Sequence, residues 1–97
     1  MMIHVKIIPA VGDAYEKSFP KHSFFTSIGK LLEWPDGCDT VNLRDGTVML
    51  VDDTAHIRNE IPPVNPVATK LYHSVCRPGT THEILGSVAI VNDKDFE

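Results

Sequence analysis

The sequence predicts a single small α+β domain in the order β-β-α-β-β-α-β. The expected sheet is antiparallel or mixed, of about five strands, with two helices mainly on one face. Three observations lead there. Ile3, Val5 and Ile7 alternate with His4 and Lys6, the period of a half-buried strand. Asn65-Pro66 opens a segment whose apolar residues recur at helical spacing. Residues 84–91 are nearly all apolar, as in a central strand covered on both faces.

In chain order, Pro9 to Asp13 make a turn from the first strand into a second. There Tyr15, Lys17 and Phe19 share one face against Glu16 and Ser18. Ser27 is a candidate cap for a short helix whose Ile28, Leu31 and Leu32 form one stripe, and Ser23 is an earlier alternative start that takes in Phe24. Pro35, Asp36 and Gly37 stop that helix, with Trp34 sealing the edge of the core. Asp39 to Arg44 and Thr47 to Val51 form a second hairpin. Its inward sets are Val41 and Leu43 against Val48 and Leu50, and Asp45-Gly46 supplies the positive φ of a tight connection. Arg44 and Arg58 read as strand-edge charges. Pro62 and Pro63 bar a helix before Asn65. Asn65 is then the N-cap, and Pro66 stands at the first helical position, where a missing N–H leaves nothing unpaired. Ala68, Leu71, Tyr72 and Val75 form the apolar stripe, and Arg77-Pro78-Gly79 ends the helix.

Length and composition narrow the function classes. A chain of 97 residues fits one domain, residues 1–97, with one modest core. The formal net charge is −4 with acids and bases interspersed, so the clustered basic face of a duplex nucleic-acid binder is missing. No apolar run approaches the roughly 20 residues needed to span a bilayer. No charged segment followed by an apolar one marks a secretory leader. Cys38 and Cys76 form no disulfide pattern and read as small buried hydrophobes of a protein in the reducing cytoplasm.

The second helix carries the most localised chemistry. At about 100° per residue, Thr69, His73 and Cys76 fall on one flank beside the apolar stripe, with Lys70 and Arg77 one step nearer solvent. Such a flank can line a pocket for an anion, and it can equally be an ordinary helix boundary. His73, Cys76 and His82 invite a metal reading, but nothing in the spacing selects a fourth ligand. A thiol nucleophile needs an oriented base that spacing alone does not reveal, and no standard catalytic motif is present. The expectation is therefore a protein without catalytic residues, metal or cofactor.

The ordered set Pro63, Asn65, Ala68, then Ile84, Gly86, Ile90, resembles the domain-of-unknown-function family 3846, which is widespread in phages and prophages. Ser27, Ile28, Leu31, Gly37 and Val41 stand in matching places, so the resemblance covers residues 27–92. The chain departs from that pattern at Leu32, where the family often has Gln, and at Asp36-Gly37, where it has a Gly pair. It also lacks an Asn–Gly turn near Asp52 to Ala55, and Pro66 stands where an Arg often follows the motif asparagine. The resemblance implies a phage setting, where small proteins without catalytic motifs often act by binding. The function expected on that footing is an oligomeric sponge for a small nucleotide immune signal in the host cytoplasm. A protein-binding inhibitor of a host factor is the alternative. A small anionic nucleotide would meet Asn65, Thr69, Lys70, Tyr72, His73 and Arg77, in a pocket completed by self-association. Arg77 is expected to dominate, because a guanidinium grips phosphate with two parallel hydrogen bonds.

Overall fold

The alternation in the first segment becomes β1, Met2–Ile8, whose Ile3, Val5 and Ile7 are all buried. The computed structural model describes residues 1–35, 37–57 and 59–96, the side chain of Phe96 excepted. The hairpin partner β2, Tyr15–Pro20, pairs antiparallel with Ile3 opposite Phe19. The remaining elements are α1, Phe24–Leu32; β3, Cys38–Asn42; β4, Thr47–Asp52; α2, Pro66–Val75; and β5, Val88–Asn92. They form one five-stranded sheet in the order β2-β1-β5-β4-β3, and every neighbouring pair is antiparallel.

The predicted order of elements is the observed one. The two helices, however, lie on opposite faces. Phe24 and Ile28 of α1 pack with Ile3, Val5, Ile7, Phe19, Leu50, Ala89 and Val91. Ala68, Leu71 and Tyr72 of α2 pack with Ile8, Met49, Val88 and Ile90. The reason lies in β4 and β5. Both strands are apolar at successive positions, so each presents a hydrophobic surface on both sides, and one helix can cover only one of them. This also corrects the second hairpin. Val41 sits opposite Met49, while Val48 and Leu50 point to the α1 side, opposite Asn42 and Thr40.

The helix boundaries follow local chemistry. The earlier of the two starts of α1 is the one adopted, with Ser23 at the N-cap and no side-chain capping bond. Ser27 lies inside the helix, and Leu31 is largely solvent-facing. The helix ends when Glu33 takes a left-handed φ of 58° and the Trp34 amide bonds back to the Gly29 carbonyl at 2.8 Å. The predicted stop at Asp36, and the reading of Arg58 as an edge charge, lie outside the described residues. Trp34 is buried as expected, and its indole N–H donates to the Ser87 carbonyl at 3.2 Å. Cys38 and Cys76 are free thiols and only half-buried, and Cys38 packs against the α1-side core.

The predicted continuous strand 84–91 is divided. Gly86 has φ of 78°, and a Cβ there would meet the Pro62 Cβ at 3.3 Å. The chain therefore turns at this glycine, and only Val88–Asn92 enters the sheet. Leu85 instead makes an isolated bridge with Val64. The segment before it, residues 80–86, runs back along α2 as a strap.

Candidate functional site

The strap and α2 are joined by polar rungs one helical turn apart. Asn65 is fully buried, and every side-chain polar atom is engaged inside the protein. Its Oδ1 accepts from the Ala68 amide at 3.0 Å, and its Nδ2 donates to the Ile8 carbonyl at 2.9 Å and the Gly86 carbonyl at 3.0 Å. Thr69 Oγ1 accepts from the Ile84 amide at 2.9 Å and donates to the Ile84 carbonyl at 3.5 Å. His73 Nε2 lies 2.7 Å from the His82 carbonyl, an acceptor only, so this nitrogen carries the proton. The last rung closes the turn, where the Thr80 hydroxyl and amide both donate to the Arg77 carbonyl, at 2.8 and 3.2 Å. The spacing has a geometric basis. Four helical residues rise about 6 Å, and two extended residues advance about 6.6 Å. Side chains at every fourth helix position therefore meet every second residue of a strap running antiparallel to the helix.

This arrangement reassigns part of the predicted site. Asn65 has no surface to offer a ligand and acts as a cap and as a clamp on β1 and Gly86. Thr69 and His73 hold the strap, which covers the flank that the helical wheel presents as open. Lys70 is exposed beyond it. Arg77 and Tyr72 remain, and the structure adds Arg44 to them.

Arg44 and Arg77 line one shallow cleft of about 490 Å³ with Val75, Cys76 and Thr80. Both arginines are exposed, and among the described residues neither has a carboxylate at ion-pair distance. The nearest acid in sequence, Asp45, accepts hydrogen bonds from the Thr47 amide and hydroxyl, and these hold its carboxyl below the usual range. Arg44 occupies the left-handed region at φ 65°, its amide bonded to Asn42 Oδ1 at 2.8 Å. That conformation costs an L-residue about 1 kcal/mol, and strain of this kind gathers at functional positions. Two guanidinium groups on one cleft, with no carboxylate partner among the described residues, offer chemistry that could accept an anion. Sequence reasoning missed Arg44 because it lies far from Arg77 in the chain and reads as a hairpin charge.

Tyr72 lies one helical turn before Cys76 of this cleft. Its phenol is held above the ordinary range, first by a hydrogen bond with the Cys76 side chain, then by burial and the Cys76 and Asp39 charges. The other cysteine, Cys38, also has its thiol pushed up, by burial and then by Asp39 and Asp53, which disfavours its thiolate form. Among the described residues, no three His, Cys, Asp or Glu side chains gather to hold a metal ion. A larger groove of about 800 Å³ lies elsewhere, walled by Trp34, Ile61, Pro62 and Pro63. Its ionisable lining, among the described residues, is Glu33, Asp52 and Glu60, which does not suit an anion. Among the described residues, no helix is long and apolar enough to cross a membrane.

No family model matches the chain, and no curated protein or solved structure matches it either.

Proposed function

We propose that this chain is a non-catalytic binding protein that sequesters a small phosphate-bearing ligand at the Arg44–Arg77 cleft. One observation carries the reading. Two guanidinium groups without carboxylate partners among the described residues line the same concavity, one of them on a strained backbone. Each guanidinium can grip a phosphate with two parallel hydrogen bonds, and Thr80 supplies a hydroxyl beside them. The cleft is open on one side, so a second subunit is the natural way to enclose a ligand, and self-association belongs to the same proposal. The resemblance to a phage family points to nucleotide immune signals as the ligand class and to anti-defence as the setting.

The direct test incubates the purified protein with cyclic di- and trinucleotides, heats it, and analyses what is released. Intact nucleotide is expected in the released fraction, with Arg77→Ala lowering affinity by about 2 kcal/mol, the range of a charge-assisted pair, at unchanged melting temperature. Chemically altered nucleotide would make the protein an enzyme, and absence of binding across the panel would remove the reading.

The alternative, a protein-binding inhibitor, is favoured by a different feature. Ile57, Ile61, Val64 and Val67, along the approach to α2 and in its first turn, are all exposed, at 81, 60, 39 and 53 %. Apolar surface of this kind marks protein contacts when it is contiguous. Specific capture of one host protein, lost on Val67→Asp and kept on Arg77→Ala, would select that reading over the first.

A further inference from the structure

We infer that the ligand of the arginine cleft carries a flat aromatic ring, seated on an array of His56, His82 and Tyr72. This inference rests on the binding reading above and deepens it by assigning the residues that would seat the base beside the phosphate. The His56 and His82 rings lie 4.5 Å apart and 35° from parallel, and Tyr72 meets His82 edge-on at 5.8 Å and 66°. His56 comes from the short turn Ala55–Ile57, His82 from the strap and Tyr72 from α2, so three separate segments bring their rings to one place. Both histidines are exposed, so the stacking adds little to the core.

Two short stretches of chain connect the array to the cleft. Tyr72 stands one helical turn before Cys76, which lines the cleft. Thr80, also in the cleft lining, stands two residues before His82, about 6.6 Å along an extended chain. A phosphate held by Arg44 and Arg77 would have the rings within reach of the rest of its molecule. Stacked π faces accept any planar heterocycle, and the adjoining cations accept the phosphate, which together is the chemistry of a nucleotide.

A metal does not suit the same array. Among the described residues, no third His, Cys, Asp or Glu side chain joins the two imidazoles to hold a metal ion. The third imidazole, His73, has its Nε2 bonded to the His82 carbonyl.

The test uses the full-length chain and calorimetric titration with five probes: ribose 5-phosphate and the 5′-monophosphates of adenosine, guanosine, cytidine and uridine. At least one nucleotide is expected to bind about tenfold tighter than ribose 5-phosphate, the gain from one stacked base. His82→Ala should remove that advantage and leave ribose 5-phosphate unchanged, whereas Arg77→Ala should weaken all five together. His56→Ala serves as the second variant if His82→Ala loosens the strap, which its melting temperature would reveal. Equal binding of ribose 5-phosphate and all four nucleotides overturns the ring assignment and leaves the phosphate reading standing. So does a base preference that survives both histidine variants. Failure of all five to bind at millimolar concentration overturns the phosphate reading and this inference with it.

Discussion

The two faces of the sheet are held by different physics. On one, α1 is seated by apolar side chains: Phe24 and Ile28 sink into a core shared with β1, β4 and β5. On the other, α2 buries Ala68 completely and leaves Leu71, Tyr72 and Val75 half-exposed, while Asn65, Thr69 and His73 fasten the strap to it. Apolar seating is nearly directionless and tolerates volume-conserving exchange. A polar ladder is directional, since each rung needs a donor facing an acceptor at a fixed place. The face that carries the arginine cleft is therefore the one whose geometry is set most exactingly, because Arg77 and Thr80 close the ladder at the cleft wall.

The largest expected effect separates cap from clamp. If Asn65 were only an N-cap, Asn65→Asp would be nearly neutral, since both rank among the best caps. Here the substitution removes the Nδ2 donor and points a carboxylate at the Ile8 and Gly86 carbonyls in a fully buried site. A loss of at least about 3 kcal/mol is expected from denaturant unfolding, from two unsatisfied acceptors and a buried charge. A loss below about 1 kcal/mol would reduce Asn65 to a cap and break the comparison.

On the apolar face, Ile28→Ala should cost about 3 kcal/mol through a cavity between α1 and the sheet, while Ile28→Leu should cost less than about 1.5 kcal/mol. Ligand affinity should follow neither, because α1 lies across the sheet from the cleft. If Ile28→Ala weakens binding in the folded protein, the two faces are coupled and their separation fails.

Thr69→Val tests the ladder with a smaller change. The side chains are nearly isosteric, so packing is kept while the Ile84 amide loses its acceptor. A loss of about 1 kcal/mol is expected, with faster hydrogen exchange at Ile84 than at Val91 as the local signature. Uniformly faster exchange across both would assign the effect to the core.

Legibility from the sequence divides along the same line. The Asn65-Pro66 start of α2 was readable because capping is decided within four residues, and β1 because alternation is a local pattern. The placement of the helices was not, because an apolar run does not state which face each residue serves. The flank of Thr69 and His73 was visible on the helical wheel, but its partners are backbone carbonyls and amides of the strap, which carry no side-chain signature. The break at Gly86 was hidden by the apolar residues around it. Arg44 escaped because only the folded β3–β4 turn brings it to Arg77.

Arg44 also allows the smallest effect and the sharpest one, because stability and binding should move in opposite directions. At φ 65° a side chain meets its own backbone, and glycine relieves that strain at the price of extra freedom in the unfolded chain. The net expectation for Arg44→Gly is a stability gain of about 0.5 kcal/mol. The same change deletes one of the two guanidinium groups of the cleft, so phosphate affinity should fall by about 1.5 kcal/mol, the lower end for a charge-assisted hydrogen bond. Arg44→Lys separates the contributions, since it keeps the strained backbone and the charge but loses the planar fork. It should therefore leave stability unchanged and give intermediate affinity. If Arg44→Gly is both more stable and binds as tightly as wild type, the strain at this turn serves nothing at the cleft, and Arg77 acts there alone.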